Sequence, residues 1–176
     1  MENLSKIEEF AQKIKNVCGY QFKNLNYLSN AFTPRTSQNN HSGNNYEISE
    51  FIGDKVIGIS IVKLLVDYFN LNTDNKSLNV FKFEHIECFE TLSDEGILTQ
   101  IEDNFTQGEY LSKRFNELNL NWNDLVASES KIAQNNNQSK SVHECILEAI
   151  VGAIALDSNF DYNQLLLIVR IFLNFD

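Results

Sequence analysis

From Cys145 to Leu156 the chain reads Cys-Ile-Leu-Glu-Ala-Ile-Val-Gly-Ala-Ile-Ala-Leu, and Glu148 is the one carboxylate within it. A helix that is apolar on every side is buried on every side. The segment therefore predicts a helix through the centre of the protein and takes Glu148 inside with it. An unpaired buried charge is held at a cost of several kcal/mol, so Glu148 must be protonated, hydrogen-bonded or bound to a cation. Two readings follow: a core glutamate satisfied locally, or a ligand. Gly152, Ala153 and Ala155 carry little bulk, so this helix can approach a neighbour closely. Cys145 and Glu144, three and four residues before Glu148, share its side of the helix.

A second stretch supplies a partner. In Tyr46-Glu47-Ile48-Ser49-Glu50-Phe51-Ile52-Gly53-Asp54, the acids Glu47, Glu50 and Asp54 fall at i, i+3 and i+7, on one stripe of a helix. The stripe continues through Ile57, Ile61 and Leu64, so a row that begins acidic turns apolar and faces the interior. The solvent side is assigned to Ser49, Lys55, Lys63 and Asp67. A solvated charged face is the plain alternative. Carboxylates crowded on a half-buried stripe repel one another and lose hydration, which favours a cation among them. Converging oxygens suit a hard divalent ion such as magnesium. The expectation is that Glu148 meets Glu50 and Asp54 across two packed helices.

With 176 residues, the chain is read as one domain spanning 1–176. A hydrophobic fraction of 43% and 13 Phe supply a core, while a single Pro leaves few chain breakers. Alternating runs and closely spaced turn dipeptides are missing, so the predicted class is all-α. A net charge of -10 argues against nucleic-acid binding by bulk charge alone. Cys18, Cys88 and Cys145 are odd in number and scattered, which reads as reduced thiols in an intracellular protein, cytoplasmic or nuclear. No stretch has the length of a membrane span, and the first residues do not resemble a signal peptide.

In chain order, apolar spacing predicts a helix from Leu4 to about Cys18, ending near Gly19, and a short one from Asn24 to Phe32, ended by Thr33-Pro34. Ser37 to Asn45 reads as a loop, with His41 a solvated histidine. The central helix runs from about Tyr46 to Phe69. A loop from Asn70 to Ser77, then helices at Leu78–Leu92, Ile97–Asn104 and Tyr110–Leu118, lead to Trp122, read as packing at a helix start, and to an Asn-rich loop, Gln134 to Lys140. Lys113-Arg114 is the one adjacent basic pair, read as surface or as a phosphate contact.

These segments carry a resemblance. Asn45 to Asp54 is similar to the ribonuclease III signature N-E-R-L-E-F-L-G-D. Glu148-Ala149-Ile150-Val151-Gly152-Ala153-Ile154-Ala155-Leu156-Asp157-Ser158 resembles that family's second motif, D-x-x-E-A-x-x-G-A-x-x-L-D-S. Leu28 to Ser37 resembles its L-x-x-A-L-T-H-R-S. The resemblance implies an all-helical ribonuclease III endonuclease domain, a homodimer that cuts double-stranded RNA with Mg2+, leaving 5′-phosphate and 3′-hydroxyl ends. Mn2+ is the expected substitute ion. It implies metal ligands at Glu50, Asp54 and Glu148, with Asp54 and Glu148 indispensable for catalysis and Glu47 supporting the site or the subunit contact. Cys145 stands where the second motif has its first Asp, and a thiol is a poor match for magnesium. Glu144 is the substitute ligand that the spacing offers. Pro34 replaces a His and Ser49 a Leu. No double-stranded RNA-binding domain is expected after Phe172, so RNA affinity is assigned to the domain itself, the metal or a partner protein. The alternative function is a catalytically impaired dimerisation or RNA-binding scaffold, with Cys145 marking loss of the metal site. A helical interaction module unrelated to RNA is a third reading.

Overall fold

The structure, a computed structural model, describes residues 2–33, 46–69, 71, 93–120 and 142–175. Every regular element among these residues is a helix, as the scarcity of chain breakers predicts. Helix α1 spans Glu2–Cys18 and closes on Gly19, whose φ of 77° is left-handed and suits the residue without a Cβ. Helix α2, Leu25–Ala31, starts where the Asn24 side chain accepts the Asn26 N–H. Helix α3 spans Tyr46–Tyr68, α4 Asp94–Thr106 behind an Ser93 cap, and α5 Gly108–Glu117. Helix α6 spans Val142–Asp157 and α7 Tyr162–Leu173.

Helix α6 is the axis of the molecule. From Glu144 to Ala155 every one of its residues is buried, as its uninterrupted apolarity requires. Helix α3 lies along it in the most extensive pairing among the described helices, while α2 and α5 cover other sides of α6 and α7 packs on α3. Ile57, Ile61 and Leu64 are buried on α3 as the stripe predicts, and Lys55 and Asp67 are exposed.

Ser49 is a correction: it is fully buried, not on the solvent side. Its backbone touches α6 at Gly152, and a short side chain is what so close a crossing admits. Helix α7 lies beyond the segments that sequence spacing resolved. Asp161 caps it by accepting the Gln164 N–H at 3.2 Å, and Leu165, Ile168, Val169 and Phe172 are its inward face. Arg114 of the basic pair is held against the fold, donating from Nε to the Phe172 carbonyl at 3.0 Å. Among the described residues, Cys18 and Cys145 are not joined in a disulfide, and no helix is long and apolar enough to cross a membrane. The expected Ser37–Asn45, Asn70–Ser77 and Gln134–Lys140 loops lie essentially outside the described residues, as do the Leu78–Leu92 helix, His41, Cys88 and Trp122.

Candidate metal centre

Two glycines decide how near α3 and α6 come. A Cβ on Gly53 of α3 would fall 1.8 Å from the Glu148 carbonyl oxygen, and one on Gly152 of α6 would fall 1.9 Å from the Ser49 carbonyl oxygen. Neither contact is sterically available to alanine, so backbone meets backbone at both points. The two touching points flank acids: Ser49 precedes Glu50, and Gly53 sits over Glu148 itself. A carboxylate oxygen of Glu50, the Cys145 Sγ and a carboxylate oxygen of Glu148 consequently lie within 4.8 Å of one another. Glu148 is 2% exposed and Cys145 not at all, while Glu50 is half-buried and opens the group toward solvent.

Tyr46, one turn before Glu50 on α3, completes the cluster. Its phenol is buried and hydrogen-bonded to the Glu50 carboxylate. Burial, then the neighbouring Glu50 carboxylate, drive its pKa far above the ordinary tyrosine value, so it remains a protonated donor to Glu50.

Among curated proteins, the chain is 35% identical to Ribonuclease 3 of Roseburia hominis over 164 residues, covering 92% of this chain and 45% of that protein. It is 31% identical to Ribonuclease 3 of Flavobacterium psychrophilum over 156 residues, covering 87% of this chain and 53% of that protein. Among solved structures, it is similar to the nuclease domain of Ribonuclease III from Campylobacter jejuni, with a TM-score of 0.59 and 25% identity, covering 91% of this chain and 94% of that one. No family model matches the chain.

The chain belongs to the ribonuclease III family.

It spans about half the length of the curated ribonucleases that it matches. The acids that the family resemblance singles out are not all in one place. Glu50 and Glu148 converge as described. Asp54, half-buried on the same helix, is outside that group of three, and its carboxylate pairs with Lys55 at 2.8 Å. Glu47 is exposed. Glu144 is buried but turned toward the start of α5, where a Cβ on Gly108 would meet its Oε2. It lines an open cleft there with Ser112, Lys113 and Glu117, outside the group formed by Glu50, Cys145 and Glu148.

The last acid of the second motif has a different task. Asp157 is buried and accepts hydrogen bonds from the Tyr20 hydroxyl at 2.7 Å and from the backbone N–H groups of Lys23 and Asn24 at 2.8 Å each. It ties the end of α6 to the turn before α2. Sequence reasoning missed this role and that of Tyr46; the one readable signal was an acid at the end of an apolar helix. As a donor set, the carboxylates of Glu50 and Glu148 fit a divalent cation, whereas a thiol beside them fits magnesium poorly.

Proposed function

We propose that the chain is a single endonuclease domain that cuts double-stranded RNA to 5′-phosphate and 3′-hydroxyl ends, using a divalent cation and acting as a homodimer. The convergence of Glu50 and Glu148 across the α3/α6 crossing, in a chain of this family, carries the reading. Glu50 and Glu148 are the inner ligands. Asp54, at the open rim and paired with Lys55, would be a further ligand to such an ion. Mg2+ is the family's expected cofactor and Mn2+ its substitute. When bound, such an ion supplies charge neutralisation at the phosphate and a deprotonated water. Tyr46 holds the Glu50 carboxylate in place through its hydrogen bond, and the apolar surround of α6 keeps bulk water from Glu148.

Pairing of two copies is supported by α3, whose outer stripe is apolar. Phe51 is 64% exposed and Ile59 54%, with Ile48 and Val62 on the same stripe. Glu47 lies beside this stripe, in keeping with a role at the subunit contact. The net charge of -10 opposes a polyanion, so RNA affinity is assigned to the metal and to a partner protein.

The presence of Cys145 in the donor group favours one second reading, a catalytically silent scaffold. Incubation of the purified chain with a long RNA duplex, with magnesium and manganese in parallel, separates the two. Metal-dependent cleavage that disappears in Asp54→Asn and in Glu148→Gln, with the dimer retained, is the expected result. Cleavage surviving both substitutions removes the proposed mechanism, and failure of the unsubstituted chain to cut with any divalent ion leaves the scaffold.

A further inference from the structure

Reading the α3/α6 crossing as the metal centre of the proposed nuclease, we infer that Glu50, Cys145 and Glu148 form a mixed sulfur and oxygen site that takes a thiophilic divalent cation, of the zinc class, in preference to magnesium. The donor atoms themselves carry this. One sulfur and two carboxylate oxygens lie within 4.8 Å of one another, with the sulfur between helices rather than at a surface. Magnesium demands oxygen ligands in near-octahedral array and sheds its waters reluctantly. Zinc and its neighbours accept thiolate, carboxylate and low coordination number together.

Among the described residues, Cys145 is the third member of the group that Glu50 and Glu148 form, and neither Glu144 nor Asp54 takes its place there. Glu144, the nearest acid in sequence, is turned to Gly108 at the start of α5. Asp54 pairs with Lys55 at the rim. An ion seated deeply enough to touch Glu148 therefore meets the Cys145 sulfur. On binding, the Cys145 S–H proton leaves to solvent as the sulfur–metal bond forms, so uptake releases a proton. Tyr46, hydrogen-bonded to Glu50, is a positioning residue for that ligand.

Cobalt and cadmium ions are the probes, because a thiolate bound to either gives an ultraviolet charge-transfer band that carboxylates do not give. Adding one equivalent of Co2+ to the whole chain should produce that band. Excess Zn2+ should displace it and excess Mg2+ should not. The band should be lost in Cys145→Ser and Glu148→Gln and retained in Cys18→Ser and Cys88→Ser. Cys145→Asp should lose it and bind magnesium more tightly than the unsubstituted chain. Tyr46→Phe should keep the band but weaken cobalt binding about 10- to 100-fold, the usual scale for loss of an outer-shell partner. Absence of the band, or a band that survives Cys145→Ser, overturns the inference. A Cys145-dependent band without duplex cleavage upholds this site while rejecting the nuclease; magnesium-dependent cleavage without the band does the reverse.

Discussion

Of the three buried acids on helix α6, Glu148 and Asp157 lie about two and a half turns apart, and their surroundings differ in kind. Asp157 accepts hydrogen bonds from a phenol and two backbone N–H groups of the turn before α2. Glu148 faces a second carboxylate and a thiol across a crossing where two glycines bring the backbones into contact. Both acids belong to one sequence motif and both are buried, so burial alone does not mark a functional carboxylate. The company does: donors make an anchor, and further ligand atoms make a place for a cation.

The sharpest way to break this comparison is to neutralise each acid in turn. Glu148→Gln should weaken manganese binding by more than the about 100-fold reached by outer-shell changes, read by calorimetric titration, while Asp157→Asn leaves it unaltered. Equal losses in the two variants would erase the distinction. Next in size is the crossing itself. Gly152→Ala forces a Cβ against the Ser49 carbonyl and should cost about 3 kcal/mol or more, seen as a lower urea midpoint. Asp157→Ala strands three donors and should cost about 1.5–3 kcal/mol in the same assay, without altering metal affinity. The smallest effect has the opposite sign. A Cβ on Gly58 of α3 meets nothing nearer than the Glu102 carboxylate at 3.7 Å, so Gly58→Ala should stabilise by about 0.5–1 kcal/mol through helix propensity.

Much of the site was legible because it rests on local signals. Apolarity on all sides buried α6 and Glu148, and the small residues at Gly152 to Ala155 announced a close neighbour. The matching contact at Gly53 carried the same signal, but within a stretch dominated by its acids. Other features depend on direction or on distant chain. Glu144 and Cys145 are adjacent, yet consecutive helix positions point about 100° apart, so one faces α5 and the other α3. Periodicity could not place Ser49, since α3 is packed on more than one side and no single polar face remains to assign. The Asp157 anchor joins residues more than a hundred positions apart and leaves no local pattern. Helix α7 did leave one, an Asp161 cap before Leu165, Ile168, Val169 and Phe172, and was readable in principle.

The proposed centre requires one ion held jointly by the two helices. Anomalous diffraction from crystals of the chain soaked in manganese measures this directly. A peak within bonding distance of carboxylate oxygens from both Glu50 and Glu148 is the predicted result. A peak bonded to Asp54 or Glu144 with Glu148 unengaged would contradict it.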